Sequence, residues 1–175
     1  MAATFEYNED NGAATGSPAK GTTRNTAVTQ VNWKNVDDVA TAYTTSPITA
    51  GNNSFTKYQF GKFTGTFNQI SSGLWAHTAG TLGTGLTLKG VVTSTYATPS
   101  TTANAALTTD MTSVIAITSG ATVLFSTVGP EGASPTSTLS AAGFTQYLAT
   151  QLQTTASAAA GDIGSITLTL RYNEN

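Results

Sequence analysis

Near the end of the chain Ile166, Leu168, Leu170 and Tyr172 alternate with Thr167, Thr169 and Arg171. A strict two-residue period places one set of side chains on each face of an extended backbone, so this segment reads as a half-buried strand. Leu86, Leu88 and Val92, running on towards Tyr96, repeat the pattern with Thr87, Lys89 and Thr93 opposite, and Thr98-Pro99-Ser100 supplies a turn. Further strands are predicted at Thr4 to Asn8, Val28 to Lys34, Leu74 to Thr78, Ser113 to Thr118, Thr122 to Val128 and Gln146 to Thr154. Gly, Pro, Asn and Ser punctuate the gaps between them. Many short strands and 175 residues predict one all-β domain over 1–175, an antiparallel β-sandwich or jelly-roll-like fold with long loops.

Three segments complicate that reading. Between Phe55 and Ile70 the aromatic residues change parity, Tyr58 and Phe60 on one side and Phe63 and Phe67 on the other, which predicts a bulge or corner at Gly61. From Ser140 to Ala160 alanines are dense and Leu148 and Leu152 stand four apart, so a helix is the rival to a strand there. Gly143 and the β-branched Thr145, Thr150, Thr154 and Thr155 favour the strand. Asp10 to Ala27, Gly129 to Ser140 and Ala97 to Asp110 are rich in turn-formers and are expected to be surface loops. The alternative, strongest for residues 10–27, is an extended arm that orders only against a neighbouring subunit.

Threonine is unusually abundant, and its branched Cβ suits a pleated backbone while its hydroxyl faces water. Charged residues make up only 9% of the chain, and the net charge is −2. Seven Lys and Arg give no electrostatic footprint for a phosphate backbone, so nucleic acid is not an expected partner. So little charge also lets copies of the chain pack closely without strong mutual repulsion. With no cysteine, disulfides, thiolate zinc sites and cysteine nucleophiles are all excluded. The opening residues lack a basic segment followed by an apolar run, and no stretch is long and apolar enough for a membrane span, so synthesis in the cytoplasm and no membrane partner are expected.

The chain offers little material for catalysis. Its one histidine, His77, follows Trp75 in an apolar strand, where a hydrogen-bonded structural role is expected. Asp37-Asp38 and Glu9-Asp10 are acid pairs, but no spaced set of acids with a central glycine surrounds either, so both read as solvated turns rather than calcium sites. No Gly-x-Ser-x-Gly elbow frames a serine. Gly12 to Lys20 has the wrong spacing for a phosphate loop, with Pro18 where a backbone donor would be needed, and Gly83-x-Gly85 reads as a hairpin turn. Asn52-Asn53-Ser54 matches a glycosylation acceptor in form only. Trp33, Trp75 and the phenylalanines read as core. No catalytic, cofactor-binding or metal-ligating residue, and no cofactor, is therefore assigned.

The runs Ala50-Gly51-Asn52-Asn53-Ser54-Phe55 and Phe63-Thr64-Gly65-Thr66-Phe67, with the ending Gly161-Asp162 to Tyr172-Asn173-Glu174-Asn175, resemble small Thr-rich β-sandwich structural proteins of tailed bacteriophage virions. That resemblance implies a non-enzymatic virion protein, foremost a capsid decoration or cement protein that binds itself, in a homo-oligomer such as a trimer, and a major capsid protein. It carries over no functional residue. A tail, neck or fibre-base protein, an extracellular filament subunit and a carbohydrate-binding module with a row of exposed aromatics remain alternatives, as does a hydrolase built on His77. The echo between Phe5-Glu6-Tyr7-Asn8-Glu9 and Arg171-Tyr172-Asn173-Glu174 further suggests that the two termini pair or lie close.

Overall fold

A computed structural model describes residues 2–159 and 165–175; Gly161-Asp162 of the run noted above lie outside them. Among the described residues twelve strands follow one another: β1 (Ala3–Thr15), β2 (Lys20–Asn25), β3 (Lys57–Gly65), β4 (Ile70–Ala79), β5 (Leu86–Thr93), β6 (Thr109–Asp110), β7 (Ala121–Val123), β8 (Phe125–Ser126), β9 (Thr138–Leu139), β10 (Gly143–Thr145), β11 (Tyr147–Thr154) and β12 (Thr167–Glu174). They form two antiparallel sheets. The larger, of eight strands, runs β2-β1-β3-β11-β5-β6 with β8 and β10 at its side, and the smaller, of four, runs β12-β4-β7 with β9 on β4. The chain is thus all-β and sandwich-like, and the only helical element among the described residues is a single 3-10 turn at Ile117–Ser119. No helix among them is long and apolar enough to cross a membrane.

The main core lies between the sheets. Phe63, Leu88 and Leu148 come from the larger sheet, and Ile70, Trp75, Val123, Leu139 and Leu170 from the smaller. A second core covers the opposite face of the larger sheet, where Tyr58, Phe60, Tyr147 and Ala149 meet Tyr96 and Leu107 from the segment after β5. Strands β3 and β11 are therefore buried on both faces, and eight ladder pairs join β3 to β1, three join it to β11 and eight join β11 to β5. Double burial explains the parity change near Gly61. β3 itself carries no bulge, because it pairs with β1 without a break from Ala3↔Gly65 to Asp10↔Tyr58. On its other edge the register slips by one residue opposite Gly61, between Phe144↔Lys62 and Leu148↔Gln59, with the extra residue on the β10–β11 side. Tyr58 and Phe60 instead face the second core and Phe63 the first. Glycine occupies position 61 because a Cβ there would lie 2.5 Å from the Phe5 ring.

Several other expectations need correction. Residues 10–27 form neither loop nor arm: β1 continues through them to Thr15, turns, and returns as β2, with Asp10 opposite Arg24 and Thr15 opposite Lys20. The segment from Val28 to Lys34 is not a strand and crosses irregularly beside the sandwich, its Trp33 indole N–H donating to Thr150 Oγ1 at 3.1 Å. Ser113 to Thr118 forms no strand either, and touches β4 through one backbone bond, Ile115 N–H to His77 O. Thr122 to Val128 breaks at Leu124, since β7 pairs with β4 in one sheet and β8 with β10 in the other. Gly83-x-Gly85 does turn, but it links strands of different sheets, so it is a crossover and not a hairpin. The strand prevails over the helix at β11, whose eight residues pair along their whole length with β5.

The termini lie close without pairing. The Ala3 N–H donates to Glu174 Oε1 at 2.7 Å, and the rings of Phe5 and Tyr172 stack 6.0 Å apart, although β1 pairs with β2 and β3 and β12 with β4. The segment 97–110 ends in β6, paired with β5, and before that is tied to the sheet by several bonds, four of them on one buried side chain. Gln151 Nε2 donates to the carbonyls of Ser54, Ser100 and Thr102 at 3.0–3.2 Å, and its Oε1 accepts the Asn104 N–H at 3.1 Å.

Candidate functional site

The acid pairs expected in solvated turns are where the structure concentrates its polar chemistry. Glu9 and Asp10 are adjacent on β1, so they point to opposite faces of a sheet that is covered on both, and each is at most 1% exposed. On the inter-sheet face Glu9 Oε1 accepts the Lys57 ammonium at 3.1 Å and the Asn11 amide at 2.8 Å, while Oε2 accepts Gln59 Nε2 at 2.9 Å. Asp37 joins from the loop, accepting the Asn11 amide at 2.6 Å and the Gly12 N–H at 2.7 Å, with its carboxylate 4.0 Å from Lys57. Two acids converge here, but the position a cation would take between them holds the Lys57 ammonium. No group of three or more metal-ligating side chains occurs among the described residues.

On the other face Asp10 accepts two bonds from the Arg24 guanidinium, both at 2.8 Å, and the Tyr147 hydroxyl at 2.5 Å. Arg24 also reaches Glu131 at 3.1 Å and lies 4.8 Å above the Phe60 ring. The Asp10 bond raises the Arg24 pKa further against the opposing effect of burial. Burial, and then the same Asp10, pushes the Tyr147 hydroxyl far above its usual range. Asp38, next in sequence to Asp37, pairs with the buried Lys34 at 2.8 Å and caps Thr41 through its backbone N–H and its hydroxyl. Burial works to raise its pKa, but the bonds from Lys34 and Thr41 prevail and hold the carboxylate well below the usual range. Lys34 is completed by the Thr41 carbonyl.

His77 is fully buried, with Nδ1 2.9 Å from the Met111 carbonyl oxygen and Nε2 2.9 Å from that of Ala79. Both ring nitrogens face backbone, with no serine or acid among these partners, so the hydrolase arrangement is not assembled around it. Gly12 to Lys20 spans the end of β1, the turn at 16–19 and the first residue of β2. In the glycosylation-like triplet Ser54 is fully buried, its hydroxyl donating to the Phe55 carbonyl. Trp75 is 1% exposed and packs on Tyr7 at 5.5 Å, and Trp33 is partly buried against the same core. The two tryptophans therefore form no exposed platform.

A cavity of about 500 Å³ opens between the sheets where the irregular segment after β2 crosses them. Its walls include Tyr7, Trp33, Gln59, Trp75, Leu148 and Ile166. The chain matches no protein-family model, no curated protein and no solved structure.

Proposed function

We propose that the chain is a non-enzymatic structural subunit of a virion, of the capsid decoration type, that works by binding copies of itself and a major capsid protein. The observation supporting this reading is the placement of charge. Of nine acidic and seven basic residues, Glu9, Asp10, Glu131, Lys34 and Lys57 are buried, and each has a charged partner: Glu9 and Lys57 pair with each other, Asp10 and Glu131 with Arg24, and Lys34 with Asp38. A surface already poor in charge is left poorer, with threonine, serine and asparagine facing water. Such faces meet without the like-charge repulsion that keeps ordinary proteins apart. At their ends the sheets offer β2 and β12, each paired on one side to a single neighbour, as sites for strand addition. A tail, neck or fibre-base protein would use the same contacts in a different symmetry.

Light scattering of the purified chain, across concentration and from low to molar salt, tests the reading. A closed oligomer that persists through the salt range is the expected result, because contacts between uncharged faces are not screened. A monomer at every concentration, or an oligomer dissolved by moderate salt, refutes it.

A further inference from the structure

Three residues lining the inter-sheet cavity carry a buried polar atom with no hydrogen-bond partner, and two of them face the space between the sheets: the third, Asn8 with its free Nδ2, stands opposite Phe60 of the second core. Gln59 Oε1 and Trp75 Nε1 are buried without a hydrogen-bond partner, in residues 3% and 1% exposed, and both residues line the cavity. Such atoms are uncommon in interiors, because an unmade bond costs the full desolvation of the group. The orientation of the Gln59 amide is fixed by its other end, since Nε2 donates to the Glu9 carboxylate, so the free atom is an acceptor. Its side chain points between the sheets, because Glu9 and Leu148 stand opposite it in the ladders and Leu148 belongs to the inter-sheet core. The indole of Trp75 belongs to the same core and contributes the donor. The remaining walls are mainly apolar, with Val31, Leu82, Leu152 and Ile166 among them, and no charged side chain lines the space.

We infer that this cavity is a binding site for a small neutral molecule with an apolar body and a hydroxyl group. A hydroxyl both donates and accepts, so one such group answers Gln59 Oε1 and Trp75 Nε1 together, while the apolar body covers the aliphatic and aromatic walls. An ionised ligand would be desolvated with no countercharge to meet it. The volume lies within the range of small-molecule sites. This site stands whether or not the chain assembles, since no contact between copies enters it.

Both tryptophans of the chain line the cavity, so their emission reports its occupancy. The test is a titration of the full chain with 1-hexanol, hexane and glucose, followed by fluorescence and by melting temperature. A saturable change with hexanol, at least tenfold tighter than with hexane and absent with glucose, is expected. Trp75→Phe removes the donor and should narrow the preference for hexanol over hexane severalfold, with Gln59 Oε1 still accepting the hydroxyl and Trp33 still reporting. Val31→Phe, on the irregular segment and only partly buried, should weaken hexanol at least tenfold while leaving the circular dichroism spectrum unchanged, and it decides the matter if Trp75→Phe does not fold. No saturable change, which would mean that water alone occupies the cavity, overturns the inference. So does equal affinity for hexanol and hexane, or binding of glucose in place of hexanol.

Discussion

Replacing Lys57 by methionine tests whether the charges inside the sandwich are held by one another. Lys57 and Glu9 have side chains 1% and 2% exposed, and their contact of 3.1 Å is the charge pairing that Glu9 possesses. Methionine fills nearly the same volume, so packing changes little and the loss is electrostatic. Glu9 would keep its bonds from Asn11 and Gln59 but face the Asp37 carboxylate across Asn11 with no cation between them. Removing one partner of a buried pair costs about 3–5 kcal/mol, a large share of the 5–15 kcal/mol that ordinarily holds a domain together. Adding Glu9→Gln removes the orphaned charge while retaining an amide oxygen for one of the two donors. The double variant is therefore expected within about 2 kcal/mol of the parent, an interaction energy of the size found for contacting residues. Urea denaturation of the parent, both single variants and the double variant measures all four corners. A cost below about 1 kcal/mol for Lys57→Met, or costs that simply add, would refute the reasoning.

Three further outcomes follow from the same packing. Gln151→Leu should lower stability by about 3 kcal/mol, since buried carbonyls lose their donor, and should speed amide exchange across 97–110 selectively; unchanged exchange there would count against the Gln151 tether. Gly61→Ala should cost about 1–3 kcal/mol in a thermal melt, because the new methyl must displace the Phe5 ring, and a neutral result would contradict that contact. Burial pushes Tyr7 up to about 12 and raises Tyr58, Tyr96 and Tyr147 as well, so the folded state holds protons that the unfolded chain loses near pH 10. That stabilisation is complete below about pH 10 and fades as pH rises beyond it, so phenolate absorbance should appear in one cooperative step with unfolding. Gradual ionisation of these four with the fold intact would be the contrary result.

Strands with one wet face were legible. In β12 and β5 the alternation of aliphatic with threonine, lysine or arginine residues announces both the element and its inner side. What escaped was the sheet covered twice. Tyr58, Gln59, Phe60 and Lys57 are all buried in β3, so its polar and apolar residues follow no single parity and look like a slip. Glu9 and Asp10 seemed to end β1 because a charged residue ordinarily marks the surface, whereas here each meets its cation on its own face. One signal was present. A turn at 16–19 places Asp10 near Arg24 and Asn25, and a bulge between Asn11 and Ala14 sets it opposite Arg24, so a cross-strand ion pair was the hint of a hairpin through residues 10–25. The inter-sheet cavity had no such signal, since Gln59, Trp75 and Val31 come together only through the packing of two sheets and an irregular crossing.

The burial of charge and the nature of the surface have one cause. A sheet with cores on both faces needs its long strands, β1, β3 and β11, to carry side chains inward in both directions. Where the covering layers are loops and not sheets, as over the second core, apolar residues alone do not close the gap. Asp10, Arg24, Tyr147 and Glu131 close it with directional bonds that fix how the segment 129–140 and the β1–β2 hairpin sit over Phe60. Ion pairs in such a place specify geometry more than they stabilise, since apolar replacements of the same shape are often as stable. A chain with few charges that commits several of them to fixing its own interior leaves a surface on which uncharged hydroxyls and amides meet the water.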